Sequence, residues 1–176
     1  MKRPPSSRFW LLLALLVVPL AADEILPTPY TAEEIRDAWV EGFEVTTRTR
    51  SAEGEIYSRT RVIAWSETGF GMVKIQVDER GRPLERDVSR YTGTWEELRA
   101  HALFPVSRAS RERTEWDTPL GQLEGWLYLV RGEEGTMEFF FADDLPGPPV
   151  VFRRQGEGLG GFVAEQISRE VKPGEE

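Results

Sequence analysis

Two hydrophobic periods take turns along the chain. Thr31-Ala32-Glu33-Glu34 has the spacing of a helix-opening capping box, and Ala32, Ile35 and Trp39 follow at i, i+3 and i+7. The spacing predicts a short helix over 32–39, with Gly42 just beyond its end. From Phe43 the period becomes two: Phe43, Val45, Thr47 and Thr49 alternate with Glu44, Thr46, Arg48 and Arg50, the pattern of a half-buried strand. Strands over 56–65, 70–77 and 84–91 follow, separated by polar, glycine-bearing turns. Thr94-Trp95-Glu96-Glu97 then repeats the capping pattern, and Trp95, Leu98 and Ala102 predict a second helix over 95–103, stopped by Pro105.

The second half reads as strand and turn. Residues 111–117 are charged and fit a strand or a loop, and Thr118-Pro119-Leu120-Gly121 has the residues of a type I turn. Leu123 to Arg131 and Thr136 to Ala142 form a hairpin if the loop is Gly132 to Gly135. That loop sets a register. Val130 faces Met137, Tyr128 faces Phe139 and Trp126 faces Phe141 on one side, while Leu127 faces Phe140 and Gly125 faces Ala142 on the other. Both faces then carry large apolar groups and both need cover, unlike a sheet with one wet face. A proline-rich loop over 143–149, a strand over 150–155 and a flexible turn over 156–161 come next. Phe162 to Val171 fits a helix by spacing, but the preceding turn and the β-rich context favour a last strand. The expected fold is α+β, a curved and mostly antiparallel sheet of about seven strands packed by two short helices. It occupies 31–171 as one domain, with 23–30 as a linker and 172–176 as a disordered tail.

Thr118-Pro119-Leu120-Gly121, Trp126-Leu127-Tyr128, Phe139-Phe140-Phe141-Ala142 and Pro146-Gly147-Pro148-Pro149-Val150 carry a resemblance. Over about 114–155 the chain resembles exported bacterial β proteins similar in outline to the lipoprotein-carrier and lipoprotein-receptor (LolA/LolB-like) half-barrels. The resemblance implies a curved antiparallel sheet closed by helices over an apolar cavity. It carries over no ligand residues, because its motifs are structural turns.

Charge and composition narrow the destination. Lys2, Arg3 and Arg8 precede an apolar run from Phe9 to Leu20, and Ala21-Ala22 follows, the layout of a secretory signal peptide over 1–22. The run is shorter than the ~20 residues of a membrane span, so no transmembrane segment is expected after cleavage. Removing it leaves 19 bases against 30 acids, from 22 against 30 in the whole chain. A surface so acidic repels nucleic acid, and the expected location is periplasmic or secreted. The chain has no Cys and one His, which excludes disulfides, thiol catalysis, thiolate metal sites and two-His metal sites.

No catalytic, metal or cofactor constellation stands out. His101 lies beside the apolar face of the second helix with no Ser or Asp fixed near it by a motif. Glu115, Asp117, Glu133, Glu134, Asp143 and Asp144 offer carboxylates for glycoside hydrolysis, but none is raised above the chain's other acids. Asp143-Asp144 lacks the spacing of a calcium loop, and Gly156 to Gly161 lacks the Lys-Ser/Thr of a phosphate loop. The expectation is a non-enzymatic, exported binding or accessory domain without a cofactor. Its groove for a lipid-like or hydrophobic ligand would be lined by Trp65, Trp126, Tyr128 and Phe141. A structural or protein-interaction domain with a filled core is the alternative, and a carboxylate-dependent hydrolase is the third reading.

Overall fold

The computed structural model describes residues 23–133, 135–155 and 161–172, including all side chains except those of 85–87. The signal-peptide reading, most of the 156–161 turn and nearly all of the 172–176 tail lie outside the described residues. Both capping boxes close. Thr31 Oγ1 accepts from the Glu34 amide at 3.1 Å while the Glu34 carboxylate accepts from the Thr31 amide at 2.7 Å. Thr94 and Glu97 do the same at 3.1 and 2.8 Å. Each box satisfies two amide donors that a helix start leaves open, so helices of only two turns are well begun. They are α1 (Ala32–Ala38) and α2 (Trp95–Ala100).

Among the described residues there are nine strands rather than about seven: the charged stretch read as strand or loop is a strand, and the C-terminal stretch is the strand that its context favoured. They are β1 (Phe43–Ser51), β2 (Gly54–Trp65), β3 (Gly69–Val77), β4 (Pro83–Thr94), β5 (Ala109–Thr118), β6 (Gly121–Gly132), β7 (Gly135–Ala142), β8 (Val151–Gln155) and β9 (Phe162–Val171). They form one antiparallel sheet in the order β4-β3-β2-β1-β9-β8-β7-β6-β5. Two meanders, β1–β4 and β5–β9, are therefore stitched together by the first and last strands. Lys172 and Gly42 close that seam, the Lys172 amide donating to the Gly42 carbonyl at 2.9 Å. Gly42 has φ +80°, and a Cβ there would lie 2.2 Å from the Lys172 carbonyl oxygen, so this corner requires glycine.

The β6–β7 register is the expected one, from Gly132 opposite Gly135 to Gly125 opposite Ala142. Its two faces feed two separate cores. Tyr128, Val130 and Phe141 join Tyr30, Ile35, Trp39, Trp95 and Phe104 under the helices. Phe140 and Ala142 join Val150 and Val151 on the opposite face, with Trp116, Leu120, Leu127, Leu145 and Val163 packed around them. Among the described residues no helix packs on that second core. The sheet curls until β5 approaches β9, and Trp116 of β5 lies against Phe140 with ring centroids 5.5 Å apart. The Arg153 guanidinium closes over the Trp116 ring at 5.1 Å. The residues read as a linker are extended and tied down, the Leu26 amide donating to the Phe104 carbonyl and the Val106 amide to Glu24, with Leu26 against the helix-side core.

Phe140 is fully enclosed by these self-covering strands. Phe140→Ala is expected to destabilise the domain by about 3–5 kcal/mol in equilibrium denaturation. A loss below about 1 kcal/mol would mean that the second core is not a packed one.

Candidate functional site

The loop joining β7 to β8 builds one wall of the site. Pro146, Pro148 and Pro149 have no amide to offer, so the loop depends on donors reaching its carbonyls from distant elements. Trp39 Nε1 donates to the Pro146 carbonyl at 2.8 Å. The Arg169 guanidinium donates to Leu145 and Pro146, each at 3.0 Å, and Gln166 Nε2 donates to Pro148 and Pro149, each at 3.0 Å. Gly147 presses on the Trp39 indole at φ +126°, where a Cβ would lie 2.4 Å from Nε1. The Tyr30 hydroxyl donates to the Ala142 carbonyl at the loop's start.

These groups are charged or polar in a dry place. Burial lowers the Arg169 guanidinium to about 10, against a smaller opposing pull from Tyr30. Burial likewise pushes the Tyr30 hydroxyl well above the ordinary tyrosine value, with Arg169 pulling it back. Arg169 also lies over the Phe43 ring at 5.1 Å, which suits a weakly hydrated cation.

Between this loop, α1 and α2 lies an apolar cavity of about 250 Å³. Its walls include Ile35, Leu98, Ala102, Phe139, Phe141 and Phe152, with Arg99 and His101 also lining it. Arg99 is held by Glu96 at 2.8 Å. An aromatic file runs along the floor: Phe139 stacks on Phe152 at 4.6 Å, and Phe152 meets Phe162 edge-on at 5.0 Å.

Of the four aromatics expected to line a groove, Phe141 stands in the cavity wall. Tyr128 lies behind it, edge-on at 5.5 Å, fully buried, with its hydroxyl donating to the Pro27 carbonyl at 2.5 Å. Trp126 is opposite Phe141 in the register but is half-buried, under Arg111 at 4.1 Å and Arg113 at 5.3 Å. Trp65 lies apart at the end of β2, where its Nε1 donates to the Arg36 carbonyl at 3.3 Å and pins α1. The hairpin brings three of the four onto one face. The sequence places Leu98 on a helix face, Phe139 and Phe152 in strands and 143–149 in a loop without setting them at a groove, because only the sheet order brings them around one space.

The other candidate groups are dispersed. His101 caps α2 and lines the cavity beside Ala102. Asp143 is taken up by Arg113 at 2.7 Å and Glu115 accepts from Gln122 at 3.1 Å. Among the described residues no three His, Asp or Glu side chains gather as a metal cage. No helix among them is long and apolar enough to cross a membrane.

No protein-family model matches the chain, and no curated protein matches it. Solved structures do. A chain of the MucA/MucB complex of Pseudomonas aeruginosa superposes with a TM-score of 0.52 at 12% identity, over 82% of this chain and 56% of that one. This chain thus spans little more than half of that neighbour, and the likeness is one of fold. A candidate lipoprotein of Parabacteroides distasonis overlaps more loosely, with a TM-score of 0.43 at 8% identity, over 75% of this chain and 96% of that one.

Two outcomes are expected at this site. Gly147→Ala must move either the loop or Trp39, and should destabilise by about 1–3 kcal/mol and shift the Trp39 emission; unchanged melting and emission would contradict the contact. The second concerns acid. The Thr94 amide and hydroxyl hold the Glu97 carboxyl below its ordinary value. Stability from this cap is complete above the ordinary glutamate range, about 4.3, and is lost as pH falls through the depressed value. In an NMR titration the Glu97 carboxyl carbon and amide should move together below that range, and a carboxyl titrating at the ordinary value would contradict the box.

Proposed function

We propose that this chain is an exported, non-enzymatic accessory domain that holds a small hydrophobic ligand in the cavity beneath α2. The supporting observation is the contrast between the two cores. The face that covers itself is closed around Phe140, Val150 and Val151, whereas the helix-covered face keeps an apolar space of about 250 Å³ beside Phe141. An apolar cavity of that kind gains free energy by taking up an apolar guest. Its volume lies just under the range typical of drug-sized sites, so it suits one slender chain or small ring and not a multi-chain lipid. Of the aromatics read from the sequence, Phe141 would touch the ligand, Tyr128 would back it, and Trp126 and Trp65 would hold the walls.

A protein-interaction role is the second reading, favoured by a fold shared with a chain from a protein–protein complex. The two readings separate on ligand uptake. The mature protein should bind the uncharged dye N-phenyl-1-naphthylamine while fully folded. Ala102→Phe, which fills the cavity, should weaken binding at least about tenfold, the loss of roughly 1.4 kcal/mol, with melting unchanged or raised. Absence of dye binding by the native protein, or equal binding by the filled variant, would leave the interaction reading in its place.

A further inference from the structure

A second pocket lies on the opposite face of the sheet, at the far end of β5 and β6. Its volume is about 280 Å³, and its walls include Ser107, Arg108, Ser110, Leu129, Arg131 and Thr136. The β5–β6 register pairs Ala109 with Val130, and one step further sets Arg108 opposite Arg131. The Arg131 amide donates to the Arg108 carbonyl at 2.8 Å, so the ladder continues to this pair. Two arginines directly opposite each other across strands repel, and such pairs cost stability.

The repulsion is not relieved from within. Among the described residues neither guanidinium has an ion pair, although the chain carries 30 acids against 22 bases. No acid among the described residues lines the pocket. Glu138, on the same face, is committed to Arg153 at 3.2 Å and Gln155 at 2.8 Å. Glu112 and Glu133 are exposed, and neither forms an ion pair among the described residues. Three hydroxyl residues, Ser107, Ser110 and Thr136, line the same pocket as the two arginines. Planar guanidiniums with neighbouring hydroxyl donors match the oxygens of a tetrahedral oxyanion.

We infer that the Arg108–Arg131 pocket binds a phosphate group, which bridges the two guanidiniums and removes their repulsion. This site is separate from the apolar cavity and stands whether or not that cavity takes a ligand.

The test compares inorganic phosphate with chloride at equal ionic strength. Phosphate should raise the melting temperature of the mature protein by several degrees and shift the Nε–Hε resonances of Arg108 and Arg131. Arg131→Thr keeps a good strand former in the ladder. It should melt at or above the wild type in chloride, because the repulsion is gone, and should not respond to phosphate. Arg108→Gln should behave alike. Equal melting of the wild type in the two salts with unmoved arginine resonances would overturn the inference, as would a full phosphate response in both variants. The source of the phosphate is read by comparing glycerol phosphate with phosphatidylglycerol vesicles, using phosphatidylcholine vesicles as control. A response to glycerol phosphate alone marks a soluble ester, variant-sensitive vesicle binding marks a lipid headgroup, and a response to neither overturns the site.

Discussion

A hairpin that is apolar on both faces is the constraint on which this molecule depends. β6 and β7 point Tyr128, Val130 and Phe141 one way and Leu127, Phe140 and Ala142 the other. Fully burying one large apolar side chain stabilises by about 1.5–3 kcal/mol. Leaving either face wet would forfeit several such terms, against a net stability of order 5–15 kcal/mol for a domain. Two covers are therefore needed, and the rest of the chain supplies them. The helices, the segment before α1 and the proline loop cover one face. The sheet's own curl, bringing Trp116 over Phe140, covers the other.

The covers differ in quality, and the proposed function rests on that difference. Strands that roll onto themselves bring interdigitating side chains from every direction and close on Phe140, Val150 and Val151. Two helices of two turns and a loop with three prolines make a coarser roof, and a cavity remains under it. The roof is nevertheless held firmly. Trp39, Arg169 and Gln166 deliver donors to carbonyls that the prolines cannot pair locally. Gln166 and Arg169 belong to β9, at the middle of the sheet, so the cavity wall is tied to the seam between the two meanders.

What was legible in the sequence was local. Thr31, Glu34, Thr94 and Glu97 specify two helix starts within four residues each, and a glycine-bounded loop sets the register of β6 on β7. Alternation then assigned faces correctly, which is why Trp126, Tyr128 and Phe141 share one. Alternation says nothing of position along the strand relative to the helices, so it could not tell that Phe141 meets the cavity while Trp126 sits under two arginines. The stretch from Phe162 fits either period, and it becomes a strand because β1 and β8 both need a partner there. The pairing of β1 with β9 joins residues more than a hundred positions apart, and no local pattern encodes it. The opposition of Arg108 and Arg131 likewise becomes visible only when β5, read as strand or loop, is placed beside β6.

The central claim is that one face of the β6–β7 hairpin closes a packed core around Phe140 while the other borders an apolar void. Xenon under pressure in a crystal of the domain tests it directly, because xenon enters apolar cavities and not packed cores. The account predicts a single strong xenon peak between Ala102, Phe141 and Phe152, and none around Phe140 and Val151. Xenon beside Phe140, or no xenon beneath α2, would contradict it.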